Sequence, residues 1–264
     1  MSTLFPKILV IIFLSCLIIT LVDQFFWRKD REQANQAIPK VVDYARSFLF
    51  VFFLVIIIRS FLFQAYKVPT GSLEPTVQPV EYLLVSQYAY GLKLPVWRRT
   101  IVPIGKPHRG DIALFHWPVN HDFILVKRVV GMPGDHISYM NKTLTINGKQ
   151  ADKHFVKNAK DYANDTSGPG FDVQIWEENL LGVKHKIFIN PSVESRNFKD
   201  LVVPQGYYLM MGDNRDNSDD GRYFGFVPEK DFVGKGLCVL ISWDPHAKHF
   251  RWKRFFTSLL PSVG

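Results

Sequence analysis

The sequence SFLFVFFLVIIIRSFLFQA at Ser47–Ala65 is followed, two residues later, by VPTGSLEPT at Val68–Thr76. Arg59 is the only charged residue in the first, mostly apolar stretch, and a helix of roughly 20 apolar residues can cross the hydrocarbon core of a bilayer. The second stretch holds Ser72 among prolines and a glycine, which is typical of a turn. We therefore predict a membrane-spanning helix with a serine turn a few residues beyond its end.

Another apolar run precedes this one, at 4–26. A cleaved signal peptide is the alternative interpretation, but the run is too long for a signal core and no small-x-small cleavage site follows it. An aromatic and then charged stretch follows instead, as at the end of a membrane span. We therefore predict a transmembrane helix 1 region at 1–27, a loop at 28–46 and transmembrane helix 2 at 47–65.

The loop at 28–46 is rich in arginine and lysine, which predicts that it lies on the cytoplasmic side. Both termini are then expected outside, and residues 66–264 form an extracytoplasmic domain tethered by its N-terminal end. The net charge is +8, of which +5 lies in the outer domain, a mild excess. In such a domain it favours membrane phospholipids as a partner, and we expect no nucleic acid.

The outer domain is predicted to be mostly β, because short β-branched and aromatic runs alternate with Pro/Gly turns. Candidate strands are 81–87, 111–116, 123–130, 143–146, 207–211 and 237–243. Asn147-Gly148 after the fourth candidate predicts a hairpin. The polar stretch at about 139–204 is interpreted as an inserted, smaller β-rich lobe between core segments at about 66–138 and 205–250.

Ser72 needs a neighbouring base, because a serine hydroxyl becomes nucleophilic only when another group takes its proton. None of the eight histidines lies in a context typical of a Ser-His-Asp triad, although sequence order alone permits one. Lys127, in the apolar run FILVKRVVG at 123–131, is the better candidate. On an exposed strand face it would be an ordinary surface lysine. If it is buried, the ammonium form is disfavoured, its pKa falls, and the neutral amine can accept the serine proton.

The sequence GDNRDNSDDGR at 212–222 is unusually rich in carboxylates. A calcium site is one interpretation, but the spacing does not fit an EF-hand loop and the two arginines would oppose a cation. We interpret the segment as a network of Asp/Arg ion pairs that makes a site rigid.

Together these segments resemble bacterial signal peptidase I, the leader peptidase family of Ser-Lys proteases. The resemblance lies in four boxes that occur in order, at 68–76, at 81–91, at 109–135 and at 212–228. It implies a multi-pass protein of the bacterial inner membrane with a periplasmic catalytic domain. It also implies an endopeptidase that cleaves secretory preproteins after a small-x-small site, typically Ala-x-Ala, through an acyl-enzyme. The family uses no metal or organic cofactor.

The resemblance implies a role for each matching residue. Ser72 is the expected nucleophile and Lys127 the general base. The residues expected to orient the base, form the oxyanion hole or make a supporting salt bridge are Thr70, Ser218, Asp220 and Arg222. The residues expected to line the substrate pockets are Val68, Leu73, Leu125, Val126 and Met211.

Two residues depart from the family pattern. Leu73 follows the nucleophile where methionine is usual, and Gly221 stands where a serine is common. Leucine keeps the volume and apolarity of methionine, so we expect a slightly reshaped pocket. The glycine removes a hydroxyl, and we expect it to loosen the last box.

Other interpretations stay open at this point. The basic and aromatic C-terminal stretch at 250–256 suits a membrane interface, or a short tail packed on the β core. The chain could be another Ser-Lys hydrolase, such as a self-cleaving repressor-like peptidase. It could also be a non-catalytic, membrane-tethered β module that binds lipid or a protein partner, with Ser72 in an ordinary turn.

Overall fold

The computed structural model describes residues 4–93, 100–162, 170–245 and 247–263. The chain forms two units, Met1–Leu62 and Phe63–Gly264. The first is helical and the second is mostly β. Each unit is described by itself.

The N-terminal unit consists of three helices. Helix α1 (Leu4–Val22) continues through a π-helical segment into α2 (Arg28–Gln33). Helix α3 (Lys40–Ile57) ends in a second π-helical segment, Ile58–Leu62. The rings of Phe13 and Phe53 lie 6.3 Å apart, so α1 and α3 pack side by side.

Asp23 is the buried ionic centre of this unit. Its side chain has no exposed surface and forms a bidentate ion pair with Arg31 and a second pair with Arg46 at 2.6 Å. A buried carboxylate requires such partners, because removing a charge from water is costly unless it is paired. The pair with Arg46 joins the start of α3 to the end of the first apolar helix.

Within the described residues, one helix is long and apolar enough to cross a membrane, and it spans Ile8–Gln33. The predicted second span at 47–65 is not found, among the described residues, as a helix that is long and apolar enough to cross a membrane. Helix α3 carries Lys40, Asp43 and Arg46 within its 18 residues, which reduces its apolar length. The last residues of the predicted span are not helical, because they pair with a neighbouring strand.

The second unit contains nineteen strands and one short helix in its described residues. The strands are β1 (Phe63–Lys67), β2 (Tyr82–Ser86), β3 (Leu92–Lys93), β4 (Thr100–Val102), β5 (Ile112–His116), β6 (Ile124–Gly131), β7 (His136–Met140), β8 (Thr143–Ile146), β9 (Lys149–Gln150), β10 (Lys153–Asp161), β11 (Phe171–Asn179), β12 (Val183–Ile189), β13 (Phe198–Val202), β14 (Tyr207–Met211), β15 (Val227–Pro228), β16 (Phe232–Ile241), β17 (Trp243–Asp244), β18 (His249–Phe250) and β19 (Ser262–Val263). Helix α4 is Gly221–Phe224. The prediction of a mostly β domain is confirmed.

A seven-stranded sheet in the order β1-β2-β16-β5-β6-β14-β15 is the centre of this unit. Strand β5 pairs along its whole length with residues 124–128 of β6, with Ala113 opposite Lys127. Strand β14 pairs with β6 only from Arg128 to Gly131. Apolar clusters lie against both faces, one around Phe115 and the other around Leu83. The sheet therefore holds Lys127 in a rigid, packed strand.

Two four-stranded sheets, β10-β11-β12-β19 and β13-β7-β8-β9, account for most of the predicted lobe. The predicted hairpin is present, with Ile146 paired to Lys149 and with positive φ angles of 52° at Asn147 and 75° at Gly148. Positive φ at both turn residues is the requirement that favours Asn-Gly in tight hairpins. Strand β7 starts at His136, a little before the predicted lobe boundary at about 139.

Candidate active site

The structure brings Ser72 and Lys127 into direct contact. Lys127 Nζ lies 2.5 Å from Ser72 Oγ, within hydrogen-bond distance. Only 8% of Ser72 and 4% of Lys127 is exposed to solvent. A nucleophile and a base in contact, shielded from water, form the minimum arrangement for covalent catalysis.

Burial changes the acid–base behaviour of Lys127. It lowers the pKa of the amine to about 8, although the carboxylates of Asp220 and Asp219 act in the opposite direction. Near neutral pH, about a tenth of such lysines carry a neutral amine, compared with less than about a thousandth at the ordinary pKa. The surroundings therefore prepare this lysine to accept a proton.

The serine turn is fixed by apolar residues on either side of the nucleophile. Val68, Leu73 and Val77 are buried in one cluster of the core. The backbone N–H of Asn214 donates to the carbonyl of Ser72 at 3.1 Å. Anchors on both sides keep the hydroxyl aimed at Lys127 without relying on the turn sequence alone.

A cleft of about 450 Å³ opens beside the two residues. Its lining residues are Pro69, Thr70, Ser72, Trp117, Phe123, Ile124, Leu125, Lys127, Asn217, Ser218 and Asp219. These described lining residues include no histidine, so the base available to Ser72 in the cleft is the lysine. Strand β6 supplies the wall from Ile124 to Lys127, just beyond the point where its pairing with β14 ends.

The predicted supporting residues lie around this cleft. Asp220 and Arg222 form a bidentate ion pair, with both nitrogen–oxygen distances at 2.8 Å. Asp220 also accepts from the backbone N–H of Gly212 at 2.8 Å and caps helix α4. The ion pair therefore holds both ends of the loop that lies next to the nucleophile.

Thr70 and Ser218 are close to the dyad but bond differently from the expectation. The Thr70 hydroxyl lies 3.5 Å from Ser72 Oγ, at the limit of a hydrogen bond. Ser218 Oγ is buried and has no hydrogen-bond partner among the described residues. The expected bond between Ser218 and Lys127 is not formed in this structure, where the amine of Lys127 donates to Ser72 Oγ.

The predicted pocket residues divide into two groups. Leu125 lines the cleft. Val68 and Leu73 are buried in one core cluster, Met211 lies in another, and Val126 packs against the first. Trp117, Phe123 and Ile124, which sequence reasoning missed, lie in the cleft wall instead. Their proximity to Lys127 in strand β6 and the preceding turn is the signal that could have found them.

Comparison with known proteins identifies the family of this chain. A family model described as "Signal peptidase, peptidase S26" matches residues 41–243. The chain belongs to this signal peptidase family. Signal peptidase I of Pseudomonas aeruginosa is 34% identical over 276 residues, which cover 93% of this chain and 95% of that relative. Signal peptidase I of Buchnera aphidicola subsp. Acyrthosiphon pisum is 35% identical, covering 75% of this chain and 74% of the relative.

A crystal structure of signal peptidase I from Enterococcus faecalis is 30% identical in sequence. It covers 50% of this chain and 97% of that chain, with a TM-score of 0.30. That score is too low to support an argument about the fold, so the family assignment rests on the sequence matches.

In this member of the signal peptidase family, a second ionic network lies behind the dyad. Arg128 is buried and donates to both carboxylate oxygens of Asp213, at 2.7 and 2.6 Å, and to the carbonyl of Gly110 at 2.7 Å. Thr76 Oγ1 also donates to Asp213, at 2.5 Å. The network ties strand β6 to the serine turn and to the loop after β14.

Arg128 was missed as a site residue, although the sequence carries a signal. Two consecutive cations in an apolar strand point to opposite faces, and both are buried here. The prediction of an Asp/Arg network in 212–222 is met by three ion pairs, Arg128–Asp213, Arg215–Glu178 and Arg222–Asp220. In two of these pairs one partner, Arg128 or Glu178, lies outside the segment 212–222.

Gly221, which departs from the family pattern, lies where there is little room for a side chain. A Cβ atom at this position would lie 2.7 Å from the carbonyl oxygen of Met210 and 2.8 Å from a side-chain carbon of Leu209. Those distances are too short for a real contact with backbone. The glycine therefore allows α4 to pack closely on β14.

Proposed function

We propose that this chain is a membrane-anchored endopeptidase that removes N-terminal signal peptides from secretory preproteins through a Ser72 acyl-enzyme. The observation that carries the proposal is the 2.5 Å contact between Ser72 Oγ and Lys127 Nζ in a cleft of a signal peptidase family member. The non-catalytic β module is not favoured, because it gives no reason to bury a lysine against a serine hydroxyl.

The reaction follows from the geometry. The neutral amine of Lys127 takes the proton of Ser72 Oγ as the oxygen attacks the scissile carbonyl carbon. The lysine then returns a proton to the leaving amine, which frees the mature protein. A water molecule, deprotonated by the same amine, hydrolyses the ester and releases the signal peptide.

The oxyanion that forms on the scissile carbonyl needs donors near Ser72. We assign this role to the backbone N–H of Ser72 and the hydroxyl of Thr70, which lies 3.5 Å from Ser72 Oγ. Removing one such donor typically slows an acyl-transfer enzyme by about 10²–10³-fold. We assign Ser218 the task of orienting the lysine amine once Ser72 is acylated, because its hydroxyl lies in the same cleft.

Substrate binding uses the wall formed by β6. The backbone of residues 124–127 lies beyond the register of β14, so an extended peptide can add to this strand by main-chain hydrogen bonds. Leu125 and Ile124 contribute apolar walls to the cleft. We propose that small side chains, as in Ala-x-Ala, fit there and that larger ones are excluded sterically.

Membrane anchoring is proposed to use two spans, with the β domain on the periplasmic side of the bacterial inner membrane. The helix at Ile8–Gln33 is the first span. Helix α3 with its π-helical extension is the second, with Arg46 neutralised by Asp23. Exposed apolar side chains on α3, such as Phe50 and Val41, support contact with lipid.

Phospholipids are also proposed to contact the C-terminal stretch. Trp252 and Phe256 are 70% and 73% exposed, next to the exposed Lys253. The same stretch is anchored to the β domain, because Arg254 binds Glu81 and Leu259 is buried in a core cluster. It therefore combines the two interpretations of this stretch, since part of it packs on the core and part of it suits a membrane interface.

The test compares wild type, Ser72→Ala and Lys127→Met in detergent, with a metal chelator and a preprotein that carries an Ala-x-Ala site. The product's new N-terminus is read by mass spectrometry. We expect cleavage after the second alanine by the wild type only. Cleavage by either variant at the wild-type rate would overturn the assignment of the dyad.

A further inference from the structure

Glu74, two residues after the nucleophile, carries an acid group that the peptidase reaction does not use. Its carboxyl group hydrogen-bonds with the carboxyl group of Asp161, the last residue of β10. Glu74 Oε2 is buried and has no hydrogen-bond partner among the described residues. Two carboxyl groups in contact must share a proton, because two carboxylates would repel each other in a site shielded from water.

Asp161 connects this pair to the nucleophile through one side chain. Asn214 Nδ2 donates to Asp161 Oδ2 at 2.7 Å and lies 3.3 Å from the carbonyl oxygen of Gly71. The backbone N–H of Asn214 donates to the carbonyl of Ser72. Asn214 therefore holds both carbonyl groups next to the nucleophile, and Asp161 holds Asn214.

The hydrogen bonds decide which of the two acids carries the proton. Asp161 Oδ2 accepts from Asn214 Nδ2 and lies 3.3 Å from Asn217 Nδ2, so Asp161 acts as a hydrogen-bond acceptor in this network. Glu74 is then the protonated partner, which donates its O–H to the Asp161 carboxylate.

The charges that face Glu74 agree with this assignment. Burial raises the pKa of Glu74 to about 8, and the neighbouring carboxylates of Asp161 and Glu81 act in the same direction. Arg251 acts in the opposite direction, but its guanidinium is shared with Asp244 at 3.3 Å. Glu81 is itself paired with Arg254.

We propose that Glu74 and Asp161 are positioning residues that share one proton and, through Asn214, hold the Ser72 turn against strand β10 of the lobe. This inference rests on the proposed function, because correct positioning is measured as a rate. It also assigns a function to the lobe, because Asp161 of β10 accepts the hydrogen bond from Asn214, which in turn contacts the turn that carries Ser72.

A dependence on pH follows from the shared proton. Loss of the Glu74 proton places two carboxylates in contact, which pushes the turn away from Asn214 and misplaces Ser72 Oγ. The rate constant of the acylation step should then fall above about pH 8, while substrate binding along β6 changes little. Deprotonation of Lys127 raises the rate over the same range, so the wild-type profile should be a narrow bell.

The experiment measures kcat and KM for preprotein cleavage by the full chain in detergent, from about pH 6 to about pH 10. We expect the wild-type kcat to fall by about tenfold per pH unit on the alkaline side. Glu74→Gln, whose amide can donate to Asp161 without titrating, should lose this alkaline fall. Glu74→Ala should lower kcat by about tenfold at pH 7, the value of one hydrogen bond, with KM unchanged.

The matched control is Glu194→Gln, which changes an exposed glutamate in the loop before β13. It should keep the wild-type profile at every pH. An alkaline fall that persists in Glu74→Gln would overturn the proposal, and so would a Glu74→Ala variant with wild-type kcat.

A second readout does not depend on cleavage. Infrared spectroscopy at pH 7 should show the carbonyl stretch of a protonated carboxylic acid in the wild type, lost in Glu74→Gln and lost from the wild type above about pH 9. Absence of this band from the wild type would overturn the proposal whatever the activity. The band present without any preprotein cleavage would support the carboxyl pair and contradict the proposed function instead.

Discussion

Two adjacent cations on opposite faces of strand β6 are buried in different surroundings. On one side, Lys127 is buried against a hydroxyl and its pKa falls to about 8. On the other side, Arg128 is buried against the carboxylate of Asp213 and a backbone carbonyl. Burial alone therefore does not make a base. The buried ammonium of Lys127 meets only a hydroxyl directly and can become a proton acceptor, whereas the guanidinium of Arg128 is matched by a carboxylate and forms a structural ion pair.

The largest effect expected is from Lys127→Arg, which makes the two positions alike. A guanidinium remains charged and cannot accept the Ser72 proton. We expect kcat/KM for preprotein cleavage to fall by about 10³-fold or more, within the range for loss of a general base. A variant with more than about a tenth of the wild-type activity would show that Lys127 acts only as a positive charge.

The next largest effect is on stability and lies on the Arg128 side. Asp213→Asn leaves the buried guanidinium without its carboxylate, and we expect a loss of about 3–5 kcal/mol in the free energy of unfolding. Denaturant titration in detergent measures it.

The control for that variant is Asp172→Asn, which breaks the exposed pair between Lys160 and Asp172. It should cost less than about 1 kcal/mol. Equal losses from the two substitutions would contradict the distinction between the buried network and surface ion pairs.

A smaller effect of opposite sign is expected from Lys127→Met. The pKa of Lys127 is lower in the folded state than in the unfolded chain, so the folded state holds fewer protons from about pH 8 to the ordinary lysine pKa. Wild-type stability therefore rises with pH across that window, and below it burial of the charge costs about 3 kcal/mol. Methionine should stabilise the protein at pH 7, and thermal unfolding should show this gain shrinking by about pH 10. If the substitution does not raise the free energy of unfolding at pH 7, then the folded protein does not bury a charged amine at Lys127.

The smallest effect expected is from Asp219→Asn. The exposed carboxylate of Asp219 raises the pKa of Lys127, so its removal should move the rising limb of the pH–rate profile to lower pH. Solvent screens an exposed charge, so we expect a shift of only a few tenths of a pH unit. A shift to higher pH would contradict the electrostatic description of the cleft.

Much of the β domain could be predicted from local sequence. The strand predictions at 111–116, 143–146 and 207–211 agree with β5, β8 and β14 to within a residue, because each is a short apolar or alternating run bounded by turn residues. The long strands β10, β11 and β12 were not predicted individually. Strand β10 is polar and largely exposed, and charged residues interrupt the apolar positions of β11 and β12.

The site could be predicted only where a residue carries its own signal. Ser72 in its turn and Lys127 in an apolar run are unusual in their local context, so both were found. The partners of Arg128 and Glu74 lie far along the chain, and no local pattern identifies which carboxylate will meet which cation or acid. The second predicted span is not found as a helix long and apolar enough to cross a membrane in the described residues, because strand pairing ends the helix before the apolar run ends.

The most direct test of the account is to titrate Lys127 itself. Nuclear magnetic resonance of lysines labelled at the ε-carbon, with Lys127→Met to assign the signal, reports the pKa in the full chain in detergent. We predict a pKa of about 8, caused by burial, for the signal that the substitution removes. A value at the ordinary lysine pKa would contradict the central claim, because Lys127 would then be charged at neutral pH and Ser72 would have no base.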